Sequence, residues 1–298
     1  MINSVKNSFS IHDLELLSGI KAHTIRTWEK RYSIFNPTRL NRNVRAYSLP
    51  DLQKLLNICL LQKHDYTISD LSKLGDAELA KQAQLISLEK LPHSYHIHSL
   101  IVSMFSLDES LFELTYKSQI AKSTFKDIFV NTYLPLLTHI GLLWQTNRMK
   151  PSHEHFISQL IYQKIALNIA AIPKNKPESK GVYILFLPQG ELHELGLMYL
   201  RYCLLLSGKK TIYLGRDIPT DDLLQIKSQF QEITWICSFL TNRTEEEKAE
   251  FVAEMENLLL HTANKCWVIG QIWGSYSAPE SSKNLTFHER FDQLVIDE

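Results

Sequence analysis

The chain is 298 residues long and 44% hydrophobic with five Trp, which suits a globular protein of two or three domains. Its 32 basic and 32 acidic side chains cancel, but residues 1–50 hold eight Lys/Arg against Asp13, Glu15 and Glu29, an excess of five that argues for an anionic partner at that end. No apolar run approaches the ~20 residues needed to span a bilayer, no signal peptide opens the chain, and four scattered Cys show no metal or disulfide spacing. A membrane protein and a disulfide scaffold are thus set aside; the expectation is a soluble, cytoplasmic protein with free buried thiols.

Residues 8–75 read as short helices. "SIHD", "SLPD" and "TISD" each place a hydroxyl three residues before a carboxylate, the logic of a capping box. In the second helix Ile25, Trp28 and Tyr32 share one face, so Thr24, Arg26, Thr27, Lys30 and Arg31 point largely to solvent. The stretch "NPTRLNRNVRAYS" fits a β-hairpin carrying Arg39, Arg42 and Arg45, with Asn41 and Asn43 as turn formers. Helix, Gly turn, basic helix and basic hairpin make a winged helix-turn-helix. Its second helix can enter the major groove while hairpin arginines reach phosphates. The plainer alternative is a solvated basic surface on a small helical domain.

The segment "FSIHDLELLSGIKAHTIRTWEKRYSIFNPTRLNRNVRAYSLPDLQKL" resembles the N-terminal domain of MerR-family transcriptional regulators, through "TIRTWEKRY", P-x-R and R-x-Y. That resemblance implies a winged helix over residues 1–75 and a self-associating protein, dimer or tetramer, on near-palindromic double-stranded operator DNA. The residues expected at DNA are Thr24, Arg26, Thr27, Lys30, Arg31, Arg39, Arg42, Arg45 and Tyr47. No sustained heptad pattern follows Leu74, so dimerisation is expected to come from elsewhere.

Residues 76–93 read as a linker opening the second segment, 76–172. The rest of it reads as a four-helix bundle in which Pro135 kinks or divides one helix and the last helix starts near His153. "PKNKPESK" is a polar linker. From 181 to 298 the period changes. "VYILFLP", "TIYLG", "TWICSFL", "CWVIG" and "NLTFH" read as strands, with helices at 192–207, 219–231 and 243–262 between them. The pattern predicts a flavodoxin-like α/β domain with a parallel sheet, whose ligands sit at the carboxyl ends of the strands.

That placement singles out "QGELHELG". Glu191 can hold one ring nitrogen of His193 and leave the other for a metal, and Gly196 allows close approach of a neighbour or a bulky ligand. Taken alone, the stretch reads equally well as a helix start with no ligand. The pattern E-x-H-x-x-G, then S-x-L, then Gly resembles the cobalamin-binding domain. The resemblance implies that His193 is the lower axial ligand of cobalt, Glu191 its hydrogen-bond partner, and Gly196, Ser238, Leu240 and Gly270 part of the corrinoid site. Where that family has a second Gly this chain has Gln271, a long side chain beside the slot for the nucleotide tail.

Trp144, Glu154 and His155 keep the W-x9-E-H spacing of light-responsive regulators that join a MerR-type domain to a cobalamin domain, where these residues lie over the upper face of adenosylcobalamin. The bundle then acts as a cobalamin cap. The sites "HEH" and "HSYHIH" lack a zinc ligand set, and no Walker loop, GxGxxG or Ser-His-Asp arrangement is present, so no catalytic residue is assigned. The expectation is a non-enzymatic regulator, a repressor, sensing adenosylcobalamin and light. Two alternatives stand beside it: a regulator without cobalamin that answers to a protein partner, and a cobalamin-dependent methyltransferase-like module.

Overall fold

The computed structural model describes residues 8–41, 44–90, 93–145, 149–173, 181–274 and 284–291. The chain forms two compact units, Met1–Ile161 and Tyr162–Glu298.

The first unit opens with α1 (Ile11–Ser18) and α2 (Ala22–Tyr32), then the hairpin β1 (Thr38–Asn41) and β2 (Val44–Ala46), then α3 (Leu49–Gln62) and the single turn α4 (Ile68–Leu71). All three predicted caps are made: Ser10, Ser48 and Thr67 accept from the backbone N–H of Asp13, Asp51 and Asp70. Gly19, at φ 75°, ends α1 in the left-handed conformation and turns the chain into α2. Leu14, Ile25, Leu52 and Leu55 are fully buried and hold the three helices together. Burial of each such side chain is worth about 1.5–3 kcal/mol. Strands β1 and β2 pair antiparallel with Arg39 opposite Arg45, so the winged helix-turn-helix is the observed fold.

Residues 76–90, expected as a linker, form α5 (Asp76–Lys90). Its sequence is rich in Ala, Glu, Leu, Lys and Gln, all good helix formers, and Leu79 and Ala83 bury one stripe against α3. Four bundle helices follow: α6 (His93–Ser106), α7 (Glu109–Ile120), the pair α8 (Phe125–Ile128) and α9 (Leu134–Gln145), and α10 (Pro151–Ala170). Pro135 stands in the first turn of α9, and the helix is divided just before it, as expected. A π turn at Phe129–Tyr133 joins α8 to α9, with the Leu134 N–H bonded to the Phe129 carbonyl. The wider turn absorbs the missing proline N–H and its ring clash.

Winged helix and bundle share a core. Phe9 pairs its backbone with Tyr47 and sets its ring edge-on to Phe105 of α6 at 5.0 Å. Phe105 in turn meets the ring of buried His153, in the first turn of α10, at 5.4 Å.

The second unit alternates β3 (Val182–Pro188), α11 (Leu195–Leu206), β4 (Thr211–Ile218), α12 (Thr220–Lys227), β5 (Ile233–Ser238), α13 (Glu245–Leu259), β6 (Lys265–Ile269) and β7 (Leu285–His288). All the pairings are parallel, in the order β4-β3-β5-β6-β7. This is the flavodoxin-like arrangement, with the chain reversing direction across the sheet beside β3. Leu223, Phe251, Val252 and Met255 of α12 and α13 cover Phe186, Trp235 and Cys237 on one face. Leu197, Leu200 and Leu204 of α11 cover Leu185, Leu187 and Ile236 on the other. Both faces are closed, which is why these strands read as continuous apolar runs.

Candidate functional site

On α2 the residues expected at DNA sort by surroundings. Arg26, Thr27, Lys30 and Arg31 are exposed and Thr24 is half-buried. Thr27 donates its hydroxyl to the His23 carbonyl, within the helix. Arg45 donates its Nε to Glu29 Oε1 at 3.0 Å, and buried Tyr47 donates its hydroxyl to Glu29 Oε2 at 2.9 Å. Arg42 lies outside the described residues, as does the side chain of Arg39.

At the bundle, the side chain of Trp144 also lies outside the described residues; its backbone belongs to the last turn of α9. Glu154 and His155 fall in the first turn of α10 and touch each other: His155 Nδ1 is 2.8 Å from Glu154 Oε2, and Ser158 donates to Glu154 Oε1 at 2.7 Å. The carboxylate is thereby held, while the imidazole stays largely in solvent, at 73% exposure. Both belong near a helix N-terminus, where a negative charge is favoured.

The densest constellation is at the carboxyl ends of β3 and β5. The loop after β3 carries Glu191, whose side chain is fully buried. Its Oε1 accepts from the backbone N–H of Leu192 and His193, at 2.9 and 3.0 Å, and meets His193 Nδ1 at 2.5 Å. Its Oε2 accepts from the N–H of Leu240 and Thr241 and from the Thr241 hydroxyl, at 2.9, 3.1 and 2.9 Å. Burial alone would raise the pKa of this carboxyl; the hydrogen bonds from His193, Thr241 and Leu240 outweigh it and hold it well below the usual range.

One carboxylate thus sews the β3 loop to the β5 loop and fixes the His193 ring by its Nδ1, so that Nε2 is the nitrogen that would meet a metal. The His193 side chain is 55% exposed. Leu192 and Leu240, whose backbone N–H groups also bind Glu191, are 58% and 60% exposed. Two further ties hold the loop: Gly190 donates to Asp217 Oδ1 at 2.9 Å, and Arg243 donates to the Gln189 carbonyl at 3.0 Å.

Ser238 ends β5 on the α11 side of the sheet, two residues after Ile236. Its hydroxyl is buried and has no hydrogen-bond partner among the described residues, which is costly unless a ligand supplies one. The two glycines have separate explanations. A Cβ on Gly196 would sit 2.5 Å from the Phe291 ring, so α11 is kept bare there for that side chain. A Cβ on Gly270, at φ 155°, would sit 2.3 Å from the Phe239 carbonyl, so β5 and β6 approach too closely for any other residue. Gln271 is exposed. Trp273 turns inward instead and packs against Phe239, Phe251 and Phe287 on the α13 face, opposite Ser238.

Reading the sequence had assigned no site role to Thr241, Asp217, Arg243 or Glu29. Thr241 directly follows S-x-L, and Asp217 lies in "YLGRDIP", so both had a local signal; Arg243 and Glu29 acquire their roles only from neighbours distant in the chain. Among the described residues no three His, Cys, Asp or Glu side chains gather as a metal site. What this edge of the sheet offers is one imidazole oriented by Glu191, the buried Ser238 hydroxyl and two exposed leucines. No described helix is long and apolar enough to cross a membrane.

Residues 9–78 match the family of MerR HTH family regulatory proteins, and residues 97–167 match the B12 binding domain family. The chain carries both domains. It is 25% identical over 245 residues to the HTH-type transcriptional repressor CarH of Myxococcus xanthus, covering 78% of this chain and 80% of that one. To the HTH-type transcriptional repressor CarA of the same organism it is 25% identical over 263 residues, covering 87% and 85%. Its fold is similar to that of the monomethylamine corrinoid protein of Methanosarcina barkeri, with a TM-score of 0.53 at 13% identity over 65% of this chain and 90% of that chain.

Proposed function

We propose that the chain is a transcriptional repressor that binds operator DNA through α2 and the wing and senses adenosylcobalamin, and light, through the rest of the molecule. The observation that carries the reading is Glu191: a buried carboxylate with six hydrogen-bond contacts whose outcome is one exposed, oriented imidazole at the ligand edge of a parallel sheet. Structural demands alone do not require a histidine there.

In this reading His193 holds the lower face of the corrinoid through Nε2, and Glu191 keeps the ring in the tautomer and orientation that ligation needs. Leu192 and Leu240 would give apolar contacts to the macrocycle, and the Ser238 hydroxyl would bond a polar group of the ligand. Trp144, Glu154 and His155 are assigned to its upper face. When bound, the cofactor supplies a cobalt–carbon bond that light breaks.

Regulation follows from linkage. A ligand that binds one oligomeric state more tightly shifts the population toward it, and that state presents paired winged helices to the two halves of an operator. Arg26, Thr27, Lys30 and Arg31 then face the groove.

A gel shift on the protein's own upstream DNA, with and without adenosylcobalamin, in dark and light, tests the whole reading. Binding that is tightened by the cofactor in the dark and released by light is expected. Corrinoid absorbance should travel with the protein through gel filtration. A protein that binds the DNA but leaves the corrinoid behind would instead be a regulator answering to a protein partner.

A further inference from the structure

The recognition helix carries one acid among its cations. Glu29 lies three residues after Arg26 and just before Lys30, and its side chain is only 16% exposed. Both of its oxygens are taken by the returning strand of the wing: Oε1 by Arg45 at 3.0 Å and Oε2 by the Tyr47 hydroxyl at 2.9 Å.

Tyr47 is itself immobilised. It is 1% exposed, its backbone pairs with Phe9 in both directions at 2.7 and 2.8 Å, and its ring lies edge-on to Phe35 at 6.2 Å. Burial and Glu29 push the pKa of its hydroxyl up, which keeps it a donor. Arg26, Lys30 and Arg31 differ: they are exposed, and none makes an ion pair among the described residues.

Arg45 gives its Nε–H to Glu29, so its charge is already offset by a carboxylate and that bond sets the direction of its guanidinium. Giving up that bond for a phosphate would leave a carboxylate that is only 16% exposed with the Tyr47 hydroxyl alone while a polyanion approaches, so DNA favours keeping the pair together. We propose that Glu29 is a positioning residue that locks the wing to the recognition helix, and that Arg45 and Tyr47 serve this lock and do not neutralise phosphates. The inference rests on the DNA-binding reading and divides its residues into two classes. Arg26, Lys30 and Arg31 provide charge, whereas Glu29, Arg45 and Tyr47 provide geometry.

The salt dependence of binding separates the classes, because each phosphate contact contributes about 0.9 to the slope of log K against log salt. With the full chain on its upstream DNA, Glu29→Gln, Arg45→Gln and Tyr47→Phe should each weaken binding, by about tenfold for the two that break the ion pair, and leave the slope unchanged. Arg45→Lys, which can still pair with Glu29, should recover most of what Arg45→Gln loses. Arg31→Gln should lower the slope by about 0.9.

Arg45→Gln flattening the slope by that amount, or Glu29→Gln tightening binding by releasing Arg45, would overturn the lock while leaving DNA binding intact. Unaltered protein that binds its upstream DNA without salt dependence would overturn the DNA reading itself, and the lock with it. Circular dichroism on each variant guards against unfolding. A double-mutant cycle of Glu29→Gln and Arg45→Gln in thermal melting reads the coupling of the pair without DNA, and additive effects would also overturn the lock.

Discussion

Glu29 in the winged helix and Glu191 in the α/β unit both fix a neighbouring functional element, yet they are built at different depths. Glu29 has two donors, both side chains, and keeps 16% of its surface. Glu191 is fully buried and takes four backbone N–H groups as well as His193 and the Thr241 hydroxyl. A lock made of side chains alone, with no backbone donor, can be loosened with less effect on the fold. A buried carboxylate that satisfies four backbone donors is part of the fold, and the His193 orientation is obtained along with it. The DNA-binding element can therefore tolerate sequence change in its lock more readily than the sensing element can.

The sharpest way to break this comparison is Glu191→Ala. Removing the buried acceptor strands donors on two loops and should destabilise the second unit by about 3–5 kcal/mol. Urea unfolding followed through Trp235, Trp267 and Trp273 would show it. A loss below about 1 kcal/mol would place Glu191 in the same class as Glu29.

Acid should separate the two units next. In the first unit, burial, with Lys63 and His139 nearby, depresses the pKa of His98 from 6.5 to about 4, and its Nδ1 is buried without a partner among the described residues. The unfolded chain takes up this proton below pH 6.5 and the folded unit does not, so stability falls as pH drops from 6.5 to about 4, by roughly 3 kcal/mol. Glu191 contributes stability that is complete above its ordinary value of 4.5 and is lost only as pH falls below it. Melting the protein between pH 7 and 5 should therefore lower both transitions, the first more than the second, because burial depresses His98 and His139 in the first unit and His288 in the second, and His98→Gln should reduce the slope of the first.

The two glycines offer a finer test within the α/β unit. In Gly270→Ala the new methyl meets the backbone carbonyl of Phe239, which has nowhere to move, at a cost of about 3 kcal/mol. In Gly196→Ala it meets the side chain of Phe291, which can turn away, at about 1 kcal/mol. Equal losses in chemical denaturation would show that the Phe291 ring is held as firmly as a strand.

Much of the architecture was legible because its signals are local. Hydroxyl-x-x-Asp caps, a Gly turn, a basic hairpin and apolar strands alternating with helices each depend on residues a few positions apart, and the winged helix, the four bundle helices and the flavodoxin-like sheet all appear as expected. The reading failed where a local signal was weak or absent. Residues 76–90 look polar and linker-like, but good helix formers together with Leu79 and Ala83 against α3 make a helix of them. Pro135 does divide its helix, as its chemistry predicts, and what the sequence leaves open is the means, a π turn directly upstream.

At the sites, residue type and spacing picked out His193, Glu191 and the cations of α2, but not which partner each would take. Tertiary structure alone decided that Glu191 reaches Leu240 and Thr241, 49 and 50 residues away, that Glu29 takes Arg45 and Tyr47, and that Gly196 makes room for Phe291. A carboxylate announces in the sequence that it will accept hydrogen bonds. Which donors are desolvated beside it depends on how the loops and strands meet, and no spacing along the chain carries that information.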